Sequence, residues 1–159
     1  MAAQKNLMIE IDITERGLAS AVGRLLAMQA RSKVFTSVLI KAKQQIKAAN
    51  AANFASNGLP VGGWAPLTPE YAAWKMARFP GAPPMVISGK LFASLTGATD
   101  SYESMTNTSL TIGTSVEYAK FHQYGTTKMA KRKIVFEPPL FAKKLGADTL
   151  AWISRGELL

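Results

Sequence analysis

The period at which apolar residues recur changes along the chain, and this change constrains the fold more than any other feature. From Leu7 to Ile13 every second residue is Leu or Ile, which is typical of a half-buried β-strand. From Leu18 to Ile46 the apolar residues recur at helical spacing, which predicts a first helix capped by Thr14 and a longer helix from about Arg31 to Asn53. The chain is therefore expected to combine strands with helices.

Glycine and proline divide the middle of the chain into loops around one short helix. Residues 57–66 predict a loop that Trp64 pins to the core. Thr68-Pro69-Glu70 predicts a helix start, because a threonine cap is followed by proline and then by an acid in the first turn. This helix ends before Pro80, and a second loop continues to Pro84.

The second half of the chain predicts a hairpin and three short elements. Ser101–Met105 and Ser109–Gly113 are rich in residues that favour strands, and the turn between them completes a hairpin. Val116 to Tyr124 predicts a short helix that ends at Gly125. Ile134–Phe136 predicts a short strand.

A helix from Phe141 to about Gly156 closes the pattern. We therefore predict a single α+β domain over residues 1–159, with a small antiparallel sheet, a long basic helix and a C-terminal helix. No apolar run reaches the ~20 residues that a membrane span needs, so no membrane partner is expected.

The charge of the chain predicts an anionic partner, with nucleic acid as the first choice and a membrane surface as the second. There are 19 Lys and Arg residues against 10 Asp and Glu, which gives a formal net charge of +9. No acid occurs from Arg16 to Pro69, and a second basic cluster follows Gly125. The alternative is an ordinary solvated surface. The candidate DNA-facing residues are Lys41, Lys43, Lys47, Lys128, Lys131, Arg132 and Lys133.

The chain offers little to catalysis or to metal binding. It has no Cys and one His, which excludes thiolate and multi-His metal sites. Ser88-Gly89-Lys90 resembles the end of a phosphate-binding loop, but Pro84 stands where that motif needs glycine. The chain contains no nucleophile motif with which His122 could act. His122 is therefore better explained as a packed or interface residue. We expect no enzyme activity, no cofactor and no metal.

Four segments occur in a distinctive order. They are Gly63 to Tyr71 (GWAPLTPEY), Ser88 to Leu91 (SGKL), Ile112 to Thr114 (IGT) and Tyr118 to Gly125 (YAKFHQYG). In this order they resemble the virion-morphogenesis and tail-completion family of Mu-like and related tailed phages. Relatives commonly continue with a Pro-Ala-Arg-Pro-Phe type of segment, whereas this chain continues with the basic cluster.

The resemblance implies a structural protein of the virion neck, acting in tail completion, as a tail terminator, or in head–tail joining. It implies a ring of identical copies, expected to be a hexamer, around the DNA passage. Other neck proteins (connector or stopper) and tail tube or sheath proteins would be its partners. We expect synthesis in the host cytoplasm and a final location in the virion. The alternative is a sequence-independent DNA-binding or transient assembly protein of phage morphogenesis.

The resemblance also implies structural roles for particular residues. The motif residues near Ser88 match a turn that enters the hairpin. The resemblance implies that none of the motif positions is catalytic. The motif positions are Trp64, Pro66, Leu67, Tyr71, Ser88, Gly89, Leu91, Tyr118, His122, Gln123 and Gly125. In a ring, we expect the sheet or the terminal segments to bridge adjacent copies and the basic residues to face the lumen.

Overall fold

The structure, a computed structural model, describes residues 15–159. In chain order its elements are α1 (Glu15–Arg31), α2 (Thr36–Ala55), α3 (Pro69–Arg78), α4 (Lys90–Thr96), β1 (Ser101–Met105), β2 (Leu110–Thr114), α5 (Ala119–Tyr124) and α6 (Phe141–Arg155). The predicted strand Leu7–Ile13 and the predicted cap Thr14 lie outside the described residues. Within residues 15–159, the helices and one antiparallel sheet confirm the predicted α+β fold.

Helix α2 lies at the centre of the molecule, because the later elements pack on its apolar side. Val38, Ala42 and Phe54 are its buried apolar residues, and α2 contacts α4, β2 and α6. The main core cluster consists of Phe54, Leu91, Leu95, Val116, Ala119 and Ile134. Removing such side chains from water is the dominant favourable contribution to folding, so α2 organises the domain.

The second predicted helix, from about Arg31 to Asn53, begins later in the structure than predicted. Helix α1 ends at Arg31, and α2 begins only at Thr36. In the link, the Phe35 amide donates to the Asn107 carbonyl at the hairpin turn, with an N–O distance of 2.6 Å. This long-range hydrogen bond takes the place of one that the Phe35 amide would make within a helix. A pattern of apolar residues in the local sequence cannot reveal such a distant partner.

A two-stranded antiparallel sheet packs beside α4. Strands β1 and β2 pair with Ser101 opposite Thr114, so the predicted hairpin is confirmed with its second strand one residue later. Helix α4 is absent from the prediction, which places a turn there. It begins after Gly89 and ends at Gly97, which have φ angles of 76° and 87°. A helix this short does not display a clear helical period.

Residues 126–140 connect α5 to α6 without a helix or a strand. The predicted strand Ile134–Phe136 is therefore wrong, because one side chain takes the place of a partner strand. The Gln123 Oε1 accepts from the Ile134 and Val135 amides (2.9 and 3.0 Å), and its Nε2 donates to the Val135 carbonyl (3.0 Å). The segment is thereby fixed with Ile134 in the core.

Helix α6 confirms the predicted C-terminal helix and ends at Gly156, whose φ is 79°. Its Trp152 Nε1 donates to the Val34 carbonyl at 2.7 Å, and α1 contacts the same helix. Helix α6 therefore holds the junction between α1 and α2. Among residues 15–159, no helix has both the length and the apolar character needed to cross a bilayer.

Candidate functional site

The motif segments, distant in sequence, meet around one cleft, which we call the motif cleft. It has two adjoining compartments of about 420 and 270 Å³, and Tyr71, Pro84, Met85 and His122 line both. The larger compartment is also lined by Pro66, Leu67, Thr68, Lys128, Met129, Ala130 and Arg132. The smaller is also lined by Ile87, Ser88, Gly89, Lys90, Leu91 and Tyr118. Most of the motif positions therefore belong to a single site.

One wall of the motif cleft is built by α3 and the proline-rich loop after it. The Thr68 hydroxyl accepts from the Tyr71 amide at 3.4 Å, which confirms the predicted start of α3 at Pro69. Lys75 is buried, and its Nζ donates to the carbonyls of Pro83 and Pro84. Burial lowers the pKa of Lys75. The role of Lys75 is not visible in the sequence, because a lysine on a short helix normally indicates a solvent-facing position.

His122 lies between the two compartments. Burial first, and the positive charge of Arg132 second, lower the pKa of His122 below its usual 6.5. Its Nδ1 is buried without a hydrogen-bond partner, and the Tyr118 ring meets the imidazole edge-on with centroids 6.0 Å apart. These surroundings favour the neutral form of the imidazole, which fits a packed residue.

Arg132 fixes the basic segment to the motif loop instead of facing solvent. It is buried, its Nε donates to the Ala65 carbonyl, and its Nη2 donates to the Pro66 carbonyl, each at 2.8 Å. Its amide also donates to the His122 carbonyl at 2.8 Å. The prediction that Arg132 faces DNA conflicts with this position, because a buried guanidinium bound to carbonyls is not free to meet phosphates.

Three motif residues support the motif cleft from outside. The Trp64 ring packs edge-on against Phe54 with centroids 5.2 Å apart, and its Nε1 donates to the Lys133 carbonyl at 2.8 Å. This is the predicted anchoring of the loop. Gln123 holds residues 134 and 135, as described above. Gly125 has a φ of 77°, and a Cβ there would lie 3.0 Å from the Lys131 amide nitrogen, so the backbone requires glycine.

The three candidate lysines of α2 are all paired with acids. Lys41 donates to Asp148 at 2.8 Å and to the Leu159 carbonyl. Lys43 pairs with Glu103 at 3.1 Å, and Lys47 pairs with the same carboxylate. Hydrogen bonds from Lys47, then from Lys43, lower the pKa of Glu103. The positive face expected on α2 is thus largely neutralised within the chain.

The remaining candidates form the basic loop, which we define as residues 128–133. Lys128, Lys131 and Lys133 are exposed. None of the three forms an ion pair within the part of the chain that the structure describes. Among the candidate DNA-facing residues, the lysines of the basic loop are therefore the ones whose charge is not paired within the described residues. They lie next to the motif cleft.

The lining of the motif cleft is largely apolar and basic. Its lining combines apolar side chains and hydroxyl groups with Lys90, Lys128 and Arg132, and none of the lining residues is Asp or Glu. Over residues 15–159, no three His, Asp or Glu side chains lie close enough together to hold a metal ion.

The comparison with known families places these observations in context. The sequence model of the phage virion morphogenesis family matches residues 13–140, a range that includes all the segments around the motif cleft. The chain therefore belongs to the phage virion morphogenesis family. This membership indicates a structural or morphogenetic role in the phage and an association with the virion. No curated protein and no solved structure matches the chain.

Proposed function

We propose that this protein is a structural component of the phage neck, where it completes the tail or joins it to the head as a homo-oligomeric ring around the DNA passage. The observation that carries the proposal is the family match over residues 13–140, which spans α1 to the end of the basic loop and beyond. We expect a hexamer, with connector or stopper proteins on one side and tail tube or sheath proteins on the other.

The surface of the chain supports assembly into a ring. A cyclic ring needs two unlike patches on each copy, because one patch meets a different patch on the next copy. Large apolar side chains are exposed at several places on the surface, and α1 and the region around α5 are two of them, with Leu25 and Tyr124 as examples. Exposed apolar groups clustered in this way are typical of protein-binding surfaces.

The basic loop supports a position near the DNA. Lys128, Lys131 and Lys133 keep free charge, whereas the lysines of α2 are paired. We propose that the basic loop faces the lumen, where its contacts with phosphates are independent of sequence and weaken with salt. We propose no reaction for the protein, since His122 is packed in a cleft without a carboxylate.

Imaging the neck of intact particles with its symmetry resolved tests this proposal. We expect density for this chain as a closed ring at the head–tail junction, and we expect particles made without the protein to lack joined tails. Its absence from complete virions, or normal virions made without it, would contradict the neck role.

The second candidate is a sequence-independent DNA-binding or transient assembly protein, and the exposed basic loop is the observation that favours it. A gel-shift series at rising salt separates the two. A DNA-binding protein would shift DNA as a monomer or dimer with a steep loss of affinity as salt rises. A ring component would instead be recovered as a large oligomer or on purified tails.

A further inference from the structure

Helix α1 carries an apolar face that is exposed among the residues that the structure describes, 15–159. Its apolar stripe, defined as Leu18, Val22, Leu25 and Leu26, recurs at helical spacing. The side chains of Leu18, Leu25 and Leu26 are 56, 64 and 60% exposed. No charged residue belongs to the stripe. An exposed apolar face of this kind indicates a protein contact.

The stripe lies to one side of the attachment of α1 to the rest of the domain. Helix α1 contacts α6, and between Leu18 and Ala30 only Met28 is half-buried. At 3.6 residues per turn, Met28 lies about 100° around the helix from the centre of the stripe. The contact with α6 therefore leaves the stripe free for another surface.

A groove beside α5 offers a second apolar surface. This docking groove has a volume of about 770 Å³, and its apolar lining comes from Val116, Ala119, Phe121, Tyr124, Ile134 and Val135. Tyr124 is 76% exposed at the groove, and Glu117 and Lys120 also line it. None of its lining residues belongs to α1, so the α1 of the same chain does not fill it.

We propose that the apolar stripe of α1 from one copy lies in the docking groove of the next copy. This inference rests on the proposed ring, because an unlike pair of apolar patches is what head-to-tail contacts require. A helix laid into an apolar groove is a recurrent recognition mode, anchored by residues at this spacing. Both surfaces lie within the family match of residues 13–140.

The area of this contact also favours a closed assembly over a stable pair. Helix α1 has 17 residues. At ~1.5 Å per residue and ~10 Å across, one face of such a helix covers on the order of 250 Å². A standard stable interface buries roughly 800 Å² on each partner. One helix-in-groove contact is therefore too small for a lasting dimer, and each copy needs the contacts on both of its sides.

Cross-linking tests the contact without requiring a stable pair. The natural chain has no cysteine, so full-length Leu26→Cys/Tyr124→Cys can be treated with a short bis-maleimide in purified tails or virions. We expect products of two, three and more copies on a denaturing gel. The matched control Ala27→Cys/Tyr124→Cys carries its thiol on the opposite side of α1, and we expect at least tenfold less product.

Each other outcome overturns the inference in an identifiable way. If Leu26→Cys alone gives a dimer and the double variant gives nothing larger, α1 pairs with α1. If both double variants react equally within assembled rings, the docking groove is not the partner, although the neck role stands. If the protein is absent from particles altogether, the proposed function fails as well.

A second measurement covers the case in which a cysteine variant folds poorly. Leu25→Glu places a charge in the stripe, whereas Ala27→Glu places the same charge on the opposite, exposed side of α1. Both should keep the circular dichroism spectrum of the parent protein. We expect Leu25→Glu to enter particles at least tenfold less than Ala27→Glu, and equal incorporation would overturn the inference.

Discussion

Helix α2 buries Val38, Ala42 and Phe54 inside the domain, whereas α1, whose apolar residues also recur at helical spacing, leaves its apolar stripe exposed. Val38 and Phe54 of α2 are 2 and 4% exposed, while Leu25 of α1 is 64% exposed. Charge follows the same division. The lysines of α2 pair with acids of the same chain, but the basic loop keeps its charge free. The comparison assigns α2 to folding, and it fits the proposal that α1 and the basic loop serve assembly.

The largest expected effect separates the two helices directly. Phe54 packs edge-on against Trp64 and Phe92, with ring centroids 5.2 and 5.5 Å apart. Phe54→Ala should lower the free energy of unfolding by about 3–5 kcal/mol, because it opens a cavity in the core. Leu25→Ala should change it by less than about 0.5 kcal/mol, because the side chain is exposed.

Urea unfolding of both variants measures this difference. A change above about 2 kcal/mol for Leu25→Ala would break the comparison, since it would mean that the stripe is covered within its own chain. Leu25→Ala should instead reduce incorporation into particles, as proposed above.

The next largest effect concerns the attachment of α2 to α6. Asp148 is buried, and its carboxylate accepts from Lys41 Nζ (2.8 Å) and from the Leu159 amide (3.2 Å). Asp148→Ala should cost about 2 kcal/mol, because it removes charge-assisted hydrogen bonds at a buried position. Thermal unfolding measures the loss. The control Lys144→Ala, an exposed residue four positions earlier, should stay within about 0.5 kcal/mol of the parent protein.

The sequence predicts the long elements well, because each carries its own local signals. The apolar spacing of α2 and α6, the cap at Thr68 and the hairpin are all visible in short stretches. The break before Thr36 and the irregular segment at Ile134 depend instead on hydrogen bonds from distant residues, Asn107 and Gln123. A local pattern contains no information about such partners.

The candidate site is predictable as a set of residues but not as an arrangement. The motif segments name most of the lining of the motif cleft, yet nothing in their spacing places Ser88 beside His122. The lysines of α2 show most clearly which features of the arrangement the sequence alone cannot predict. Lys41 lies 107 residues from Asp148, and Lys43 lies 60 residues from Glu103, so the pairing that neutralises them is invisible before folding.

A charge reversal sharpens the comparison between paired and free lysines. Lys131→Glu/Lys133→Glu should change the free energy of unfolding by less than about 1 kcal/mol, since both lysines are exposed. The same variant should yield particles that package or eject DNA poorly, if the basic loop faces the lumen. Lys143→Glu/Lys144→Glu makes an equal charge change on α6 and should behave like the parent protein. Normal DNA retention and ejection in the first variant would refute the lumen role.

The smallest expected effect is a pH dependence specific to the paired lysines. Lys47 and Lys43 hold the pKa of Glu103 below its ordinary value of 4.5. A carboxyl with a lowered pKa in the folded state contributes stability above its unfolded pKa, and this contribution is lost as pH falls through the folded pKa. The parent protein should therefore lose more stability than Glu103→Gln on acidification below about pH 4.5.

The difference should not exceed about 1 kcal/mol, because these ion pairs are partly exposed. Parallel urea titrations at pH 6 and pH 3 measure it, and identical losses would show that the lysines of α2 are as free in solution as those of the basic loop.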